Sequence, residues 1–221
     1  MKKNERKTLF LGCVFTIAFI VWTLLIQTVD VQPTGQNGTD IGFASLNHWF
    51  HKLTGVNMLL YTITDWMGLV PLFVCVIFAG MGFGQLVRRK SLFKVDADII
   101  VLGFYYVVVI GCYLLFEVIP INYRPILIDG FMEASYPSST TLLVVTVMPT
   151  LIEQTLRRMN KNVISKVIAV CSVIFSVFMV IGRLISGVHW LTDIVGSILL
   201  CIGLFLTYRG LVQFFFSKKE K

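Results

Sequence analysis

Six runs of apolar residues, each near the length needed to cross a bilayer, alternate along the chain with short polar segments. They cover roughly Thr8 to Val29, Trp66 to Val87, Ile99 to Ile119, Thr140 to Leu156, Val163 to Ile181 and Trp190 to Tyr208. A hydrocarbon core about 30 Å thick takes about 20 helical residues, so the pattern predicts six transmembrane helices. The first run follows the basic start Lys2-Lys3-Asn4-Glu5-Arg6-Lys7, as the core of a signal peptide would. Its length and the lack of a small-x-small cleavage pattern make it a retained first span instead.

Between the first two runs lies a polar segment, Asp30 to Asp65. It opens with the turn-rich Val31-Gln32-Pro33-Thr34-Gly35-Gln36-Asn37-Gly38 and continues into Ile41 to His51, whose aromatic residues suit an amphipathic helix on the membrane surface. Asn37-Gly38-Thr39 matches a glycosylation sequon but reads as a plain turn. His48 and His51 stand one helical turn apart. Two histidines alone make a poor metal site, so both are expected on a solvated face. The chain shows no internal repeat. The expected architecture is an all-α polytopic membrane protein: one domain over residues 1–221, six transmembrane helices, and an interfacial amphipathic helix between spans 1 and 2.

Composition agrees and excludes several classes. Hydrophobic residues make up 56% of the 221 and charged residues only 14%, with a mean hydropathy of +0.81. A soluble domain has about 25% charged residues, so a soluble, disordered or nucleic-acid-binding chain is excluded. The net charge of +7 then acquires meaning from its distribution. Four basic residues precede span 1, four lie between spans 2 and 3 (Arg88, Arg89, Lys90, Lys94), four between spans 4 and 5 (Arg157, Arg158, Lys161, Lys166), and four follow span 6 (Arg209, Lys218, Lys219, Lys221). Lys and Arg accumulate in short cytoplasmic loops, so 16 of the 19 predict both termini inside. Lys52, Arg124 and Arg183 are left for the outer face. The five cysteines all fall within the apolar runs, which implies packing roles and no disulfide framework.

In a chain so short of charge, polar groups beside the apolar core need a reason, because an unpaired one costs several kcal/mol to bury. Three clusters stand out, all at the outer ends of spans 3 to 6. Asn122-Tyr123-Arg124-Pro125 follows span 3. Ser135-Tyr136-Pro137-Ser138-Ser139-Thr140-Thr141 opens span 4, with Ser138 placed as a helix N-cap over a first turn of free N–H groups. Gly182-Arg183 through His189 to Asp193 joins spans 5 and 6, and on an opening helical turn His189 and Asp193 share one face. Arginines and helix N-termini suit phosphate oxygens, while a His oriented by a carboxylate suits nucleophilic or base chemistry. Together they predict phosphoryl transfer at the outer membrane interface.

These residues resemble the type 2 phosphatidic acid phosphatase superfamily of integral membrane lipid phosphatases. Its pattern is Lys, six residues, Arg-Pro; then Pro-Ser-Gly-His; then Ser-Arg, five residues, His, three residues, Asp. Arg183, His189 and Asp193 match the third element in identity and spacing, and Arg124-Pro125 and Pro137-Ser138 match in part. The resemblance implies a lipid phosphate phosphatase whose nucleophile is His189, passing through a phosphohistidine, with Asp193 holding the imidazole tautomer. Arg124, Arg183, Ser138, Ser139 and Thr140 are then the phosphate-binding residues. The implied substrate is a membrane lipid phosphate, and no metal or other cofactor is implied.

Three departures from that pattern carry consequences. Glu117 occupies the lysine position, Gly182 the serine position, and Thr140 the position of the histidine that protonates the leaving oxygen. A threonine hydroxyl is too weak an acid for that task, and general acid catalysis typically contributes about 10² to 10⁴ in rate. A phosphate leaving group needs less help than an alkoxide, so a lipid diphosphate, such as a polyprenyl diphosphate, is the expected substrate ahead of a phospholipid monoester. Alternatively Glu117 or Glu133 supplies the proton. Two other readings compete: a family member that binds lipid phosphate without hydrolysis, and a small transporter, for which Asp65, Glu117 and Glu153 would mark an ion path.

Overall fold

The computed structural model describes residues 3–219, with side chains from residue 4 to residue 215; Lys2 and Lys221 of the outermost basic groups lie outside it. The described chain forms eight α-helices: α1 (Lys3–Ile26), α2 (Ala44–Thr54), α3 (Met58–Met67), α4 (Leu69–Arg89), α5 (Ala97–Val118), α6 (Ser139–Arg158), α7 (Val163–Ile185) and α8 (Leu191–Lys219). Strand-like pairing among the described residues is confined to three isolated bridges.

Among the described residues, five segments are long and apolar enough to cross a membrane: Asn4–Ile26, Met58–Arg89, Ala97–Val118, Val163–Ile185 and Leu191–Phe215. The protein is accordingly a multi-pass membrane protein. Large apolar side chains such as Phe10, Ile17, Val76, Phe104, Val107 and Val170 point outward, as a lipid solvent requires.

Two helices differ from the hydropathy pattern. The second span starts at Met58, well before Trp66, because α3 runs into α4 across Gly68. The polar residues that masked this start are accommodated by the helix itself: the Thr62 and Thr64 hydroxyls donate to carbonyls one turn back. Asp65 therefore sits on a helix and not in the preceding loop. Helix α6 falls short of a span's hydropathy, although it is one of the most buried helices. Its polar groups turn inward and pair: Tyr105 Oη donates to the Thr146 carbonyl at 3.2 Å, Tyr106 Oη and Thr150 Oγ1 are 2.7 Å apart, and Gln154 Nε2 donates to Tyr208 Oη at 3.0 Å.

Helix α8 is the centre of the bundle and packs along α1, α5 and α6. Small residues let α1 approach it closely. A Cβ at Gly203 would meet the Thr16 backbone N at 2.9 Å, and one at Gly12 would meet the Thr207 N at 3.0 Å. The start of α8 is tied down by Asn47, whose Nδ2 donates to Thr192 Oγ1 at 3.0 Å, and by Trp22, whose Nε1 donates to the Thr192 carbonyl at 3.1 Å.

The two ends of the bundle differ in charge. Arg89, Arg158, Asp96 and Asp98 make an ion-pair cluster at one end, with Arg158 2.8 Å from Asp98 and Arg89 2.7 Å from Asp96. The polar clusters around Arg124, Ser138 and His189 gather at the other. Helix α2 lies at that second end. Its Trp49 and Leu53 are exposed, whereas His48 and His51, expected on a solvated face, are half-buried. Both turn onto the Trp190 ring, with centroids 5.2 and 5.6 Å away, and His51 Nε2 lies 3.0 Å from the Gly187 carbonyl.

Candidate active site

Each cluster is delivered by a local structure that its sequence specifies. Residues 121–136 form a hairpin-like loop in which the Ser135 N–H donates to the Asn122 carbonyl and the Arg124 N–H to the Glu133 carbonyl. The loop turns at Asp129 and Gly130, both at positive φ, the left-handed pair that an Asp-Gly dipeptide readily supplies. Between α7 and α8 the chain reverses at Gly187, where φ is +71° and a Cβ would lie 2.0 Å from the Gly55 carbonyl oxygen.

His189 follows this reversal and is 3% exposed, one turn before the fully buried Asp193. Its Nδ1 lies 3.1 Å from the Ser135 carbonyl oxygen, which can only accept, so Nδ1 carries the proton. Asp193 Oδ2 is 3.7 Å from the same nitrogen, too far for a hydrogen bond. The carboxylate instead accepts from the Trp190 N–H at 2.9 Å and from Asn122 Nδ2 at 3.3 Å. Asp193 was expected to fix the tautomer; the Ser135 carbonyl does so, because Asp193 spends its oxygens holding the start of α8 to the 121–136 loop. The opposite nitrogen, Nε2, is buried with no partner among the described residues. Burial, reinforced by the positive charges of Arg124 and Arg183, holds the His189 pKa well below its usual 6.5 and keeps that lone pair free.

Both arginines are buried around one aromatic ring. The Arg183 guanidinium lies 4.9 Å and the Arg124 guanidinium 5.8 Å from the centroid of Tyr61. Arg183 is 1% exposed; its Nη1 is 3.5 Å from both Thr64 Oγ1 and Asp65 Oδ1. Gly182 explains how Thr64 reaches it, since a Cβ there would meet Thr64 Cγ2 at 2.7 Å. The hydroxyl lost at Gly182 is thus offset by one brought in on α3. Arg124 is 8% exposed and pairs with Glu133 at 3.0 Å, an ion pair without an aligned hydrogen bond.

The orphaned polar atoms are concentrated here. Arg124 Nη1, Arg183 Nε, Ser135 Oγ, Ser138 Oγ, Thr141 Oγ1 and His189 Nε2 are all buried with no hydrogen-bond partner among the described residues. Buried polar atoms are ordinarily satisfied, and the unpaired guanidinium and hydroxyl donors among these fit a group rich in acceptor oxygens. Ser138 holds the N-cap position of α6, as its sequence context predicts, yet its hydroxyl makes no capping bond. A cavity of about 210 Å³ adjoins Arg124 and is lined by Glu117, Glu133, Tyr136 and Ser139. A more apolar groove of about 420 Å³ runs from Ser139, Thr140 and Asp65 down between α4, α5 and α6.

The model of the PAP2 superfamily matches residues 8–217. The chain belongs to the PAP2 superfamily. The PAP2 fold is matched independently by the crystal structure of a transmembrane PAP2-type phosphatidylglycerolphosphate phosphatase from Bacillus subtilis, with a TM-score of 0.62. At 19% identity the match covers 91% of this chain and 96% of that one, and it speaks for the fold alone. No curated protein matches the chain significantly.

Of the residues expected at a PAP2 site, the structure brings together His189, Asp193, Arg183, Arg124 and Ser138. Ser139 and Thr140 line the two cavities beside them, and Glu117 and Glu133 line the one next to Arg124. Four participants escaped sequence reasoning: Tyr61, Thr64, the Ser135 carbonyl and the role of Asn122. The first two lie on a helix whose start the hydropathy pattern missed. A backbone carbonyl has no sequence signature at all.

Proposed function

We propose that the protein hydrolyses a lipid phosphate by transferring the phosphoryl group to His189 Nε2, with release of phosphate from the phosphohistidine by water. The observation that carries this reading is the unsatisfied Nε2 of a buried His189, within the electrostatic reach of Arg124 and Arg183, whose buried guanidinium groups, like the Ser138 hydroxyl, keep unpaired donors. Those donors supply the charge stabilisation that phosphoryl transfer demands, so the mechanism calls on no metal. Asp193 stabilises the imidazole once it carries the phosphoryl group, and Ser139 and Thr140 offer first-turn N–H groups of α6 to the phosphate.

The same reading makes α6 a sixth span and treats the chain as one domain with α2 at the interface. The distribution of basic residues supports an orientation with both termini in the cytoplasm and the site facing outward. Thr140 favours lipid diphosphates over monoesters, because phosphate leaves without the proton an alkoxide needs. In purified protein, a polyprenyl diphosphate is expected to release phosphate faster than phosphatidic acid, with Thr140→His narrowing the gap. Equal or faster release from the monoester contradicts the preference.

Thr140 also favours a second reading, in which lipid phosphate binds without hydrolysis. Retained binding by a wild type inert on both substrates selects it. The carboxylates that would mark an ion path have other partners: Asp65 faces Arg183, Glu153 pairs with Arg157 at 2.7 Å, and Glu117 lines the cavity beside Arg124.

A further inference from the structure

The proposed reaction still needs a proton for the oxygen that leaves with the lipid, and the hydroxyl of Thr140 cannot give one. We propose that Asp65 is the general acid for that oxygen, an inference that rests on the phosphatase reading above. Three observations place it. The Asp65 carboxylate stands 3.5 Å from Nη1 of Arg183, one of the two buried arginines proposed to hold the phosphate. It also lines the apolar groove together with Thr140, Leu69, Leu72 and Leu143. The corner after Asp65 packs on Thr140 itself, since a Cβ at Gly68 would lie 3.5 Å from Thr140 Cγ2. A carboxyl group from α3 thus shares a groove with the side chain of position 140.

The groove decides between the available acids. A lipid tail belongs in an apolar channel that opens between helices, and the leaving oxygen is the atom joining that tail to phosphorus. The acid must accordingly stand where the groove meets the phosphate. Asp65 lines the groove itself, whereas Glu117 and Glu133 line the polar cavity beside Arg124, which adjoins the groove at Tyr113 and Ser139. Asp65 is also half exposed, so it exchanges protons with water.

The step balances without a further reactant. The Nε2 lone pair of His189 forms a bond to phosphorus as the bond to the lipid oxygen breaks, and the Asp65 carboxylic acid transfers its proton to that oxygen. The proton comes with the substrate: a monoprotonated ester bound at Arg183 passes its proton to the adjacent Asp65 carboxylate before the bond to the lipid oxygen breaks. Water then attacks the phosphohistidine and gives a proton to the Asp65 carboxylate. Inorganic phosphate and neutral His189 are regenerated.

The test compares wild type with Asp65→Asn in detergent, on phosphatidic acid and on a polyprenyl diphosphate, with thermal melting to establish folding. Asp65→Asn is expected to slow the monoester by about 10² or more while slowing the diphosphate far less. Adding Thr140→His to Asp65→Asn is expected to recover monoester release. Equal loss on both substrates means that Asp65 only positions Arg183 and overturns the proposal, as does an unchanged monoester rate. Selective monoester loss in Glu117→Gln or Glu133→Gln in its place also overturns it. If Asp65→Asn does not fold, Asp65→Glu carries the test: it retains the acid and keeps the wild-type ratio of the two rates, and a ratio that collapses overturns the proposal. A wild type inert on both esters overturns the phosphatase reading and this inference together; an active wild type matched by Asp65→Asn overturns this inference alone.

Discussion

The carbonyl oxygen of Ser135 lies 3.1 Å from Nδ1 of His189 and fixes which nitrogen of the imidazole is free. Two segments far apart in sequence are joined by this contact, and it relieves Asp193 of the orienting role that a His-Asp pair usually performs. Asp193→Asn is therefore expected to lower kcat by about 10², less than the roughly 10⁴ seen where the carboxylate alone sets the tautomer. Steady-state phosphate release checks this; a loss as complete as that of His189→Ala would show that Asp193 does set the tautomer.

The pH dependence follows from the same burial. With its pKa held below 6.5, His189 stays neutral at pH values where an ordinary imidazole is half protonated. The acid limb of the kcat/KM profile is expected below pH 6.5. Stability runs the same way: below about 6.5 the unfolded chain binds a proton that the native imidazole refuses, so unfolding becomes easier as pH falls. An acid limb at or above 6.5 contradicts this account.

Gly182 and Thr64 are expected to be coupled. Gly182→Ser places a Cβ 2.7 Å from Thr64 Cγ2, so it should destabilise the protein by about 1–3 kcal/mol through overpacking. Thr64→Ser removes that methyl group and keeps the hydroxyl beside Arg183. The double variant should melt close to wild type, and additive losses in a double-mutant cycle would argue against a steric origin.

If Arg124 binds phosphate as proposed, Glu133 competes with it for the guanidinium. Its carboxylate is 3.0 Å from Nε but partly solvated, which limits the effect. Glu133→Gln is expected to tighten inhibition by inorganic phosphate up to about fivefold. A weaker Ki would mean that the ion pair orients Arg124 productively.

The helices were legible where hydrophobicity alone decides them, as in α1, α5, α7 and α8. They were less so where polar groups are paired inside the bundle: α3 hid behind Thr62, Thr64 and Asp65, whose partners only the fold reveals. The third motif could be read directly from its residue identities and spacing, although His189 lies in the bend before α8, which begins at Leu191, and not on the opening helical turn expected of it. The environment of that motif could not. Ser135, Asn122 and Tyr61 reach the site through a loop and a helix end that pack against it, and His48 and His51 lie half-buried against the Trp190 ring. Asn37-Gly38-Thr39 fared better, because a turn is local: Asn37 sits at φ 55° within a single 3-10 turn, Gln36–Gly38.

The claim that His189 is the nucleophile is tested most directly by phosphate release from a polyprenyl diphosphate in detergent, measured for wild type and His189→Ala at matched folding. Release by wild type and background release by His189→Ala is the predicted result. Comparable release from both proteins would contradict it.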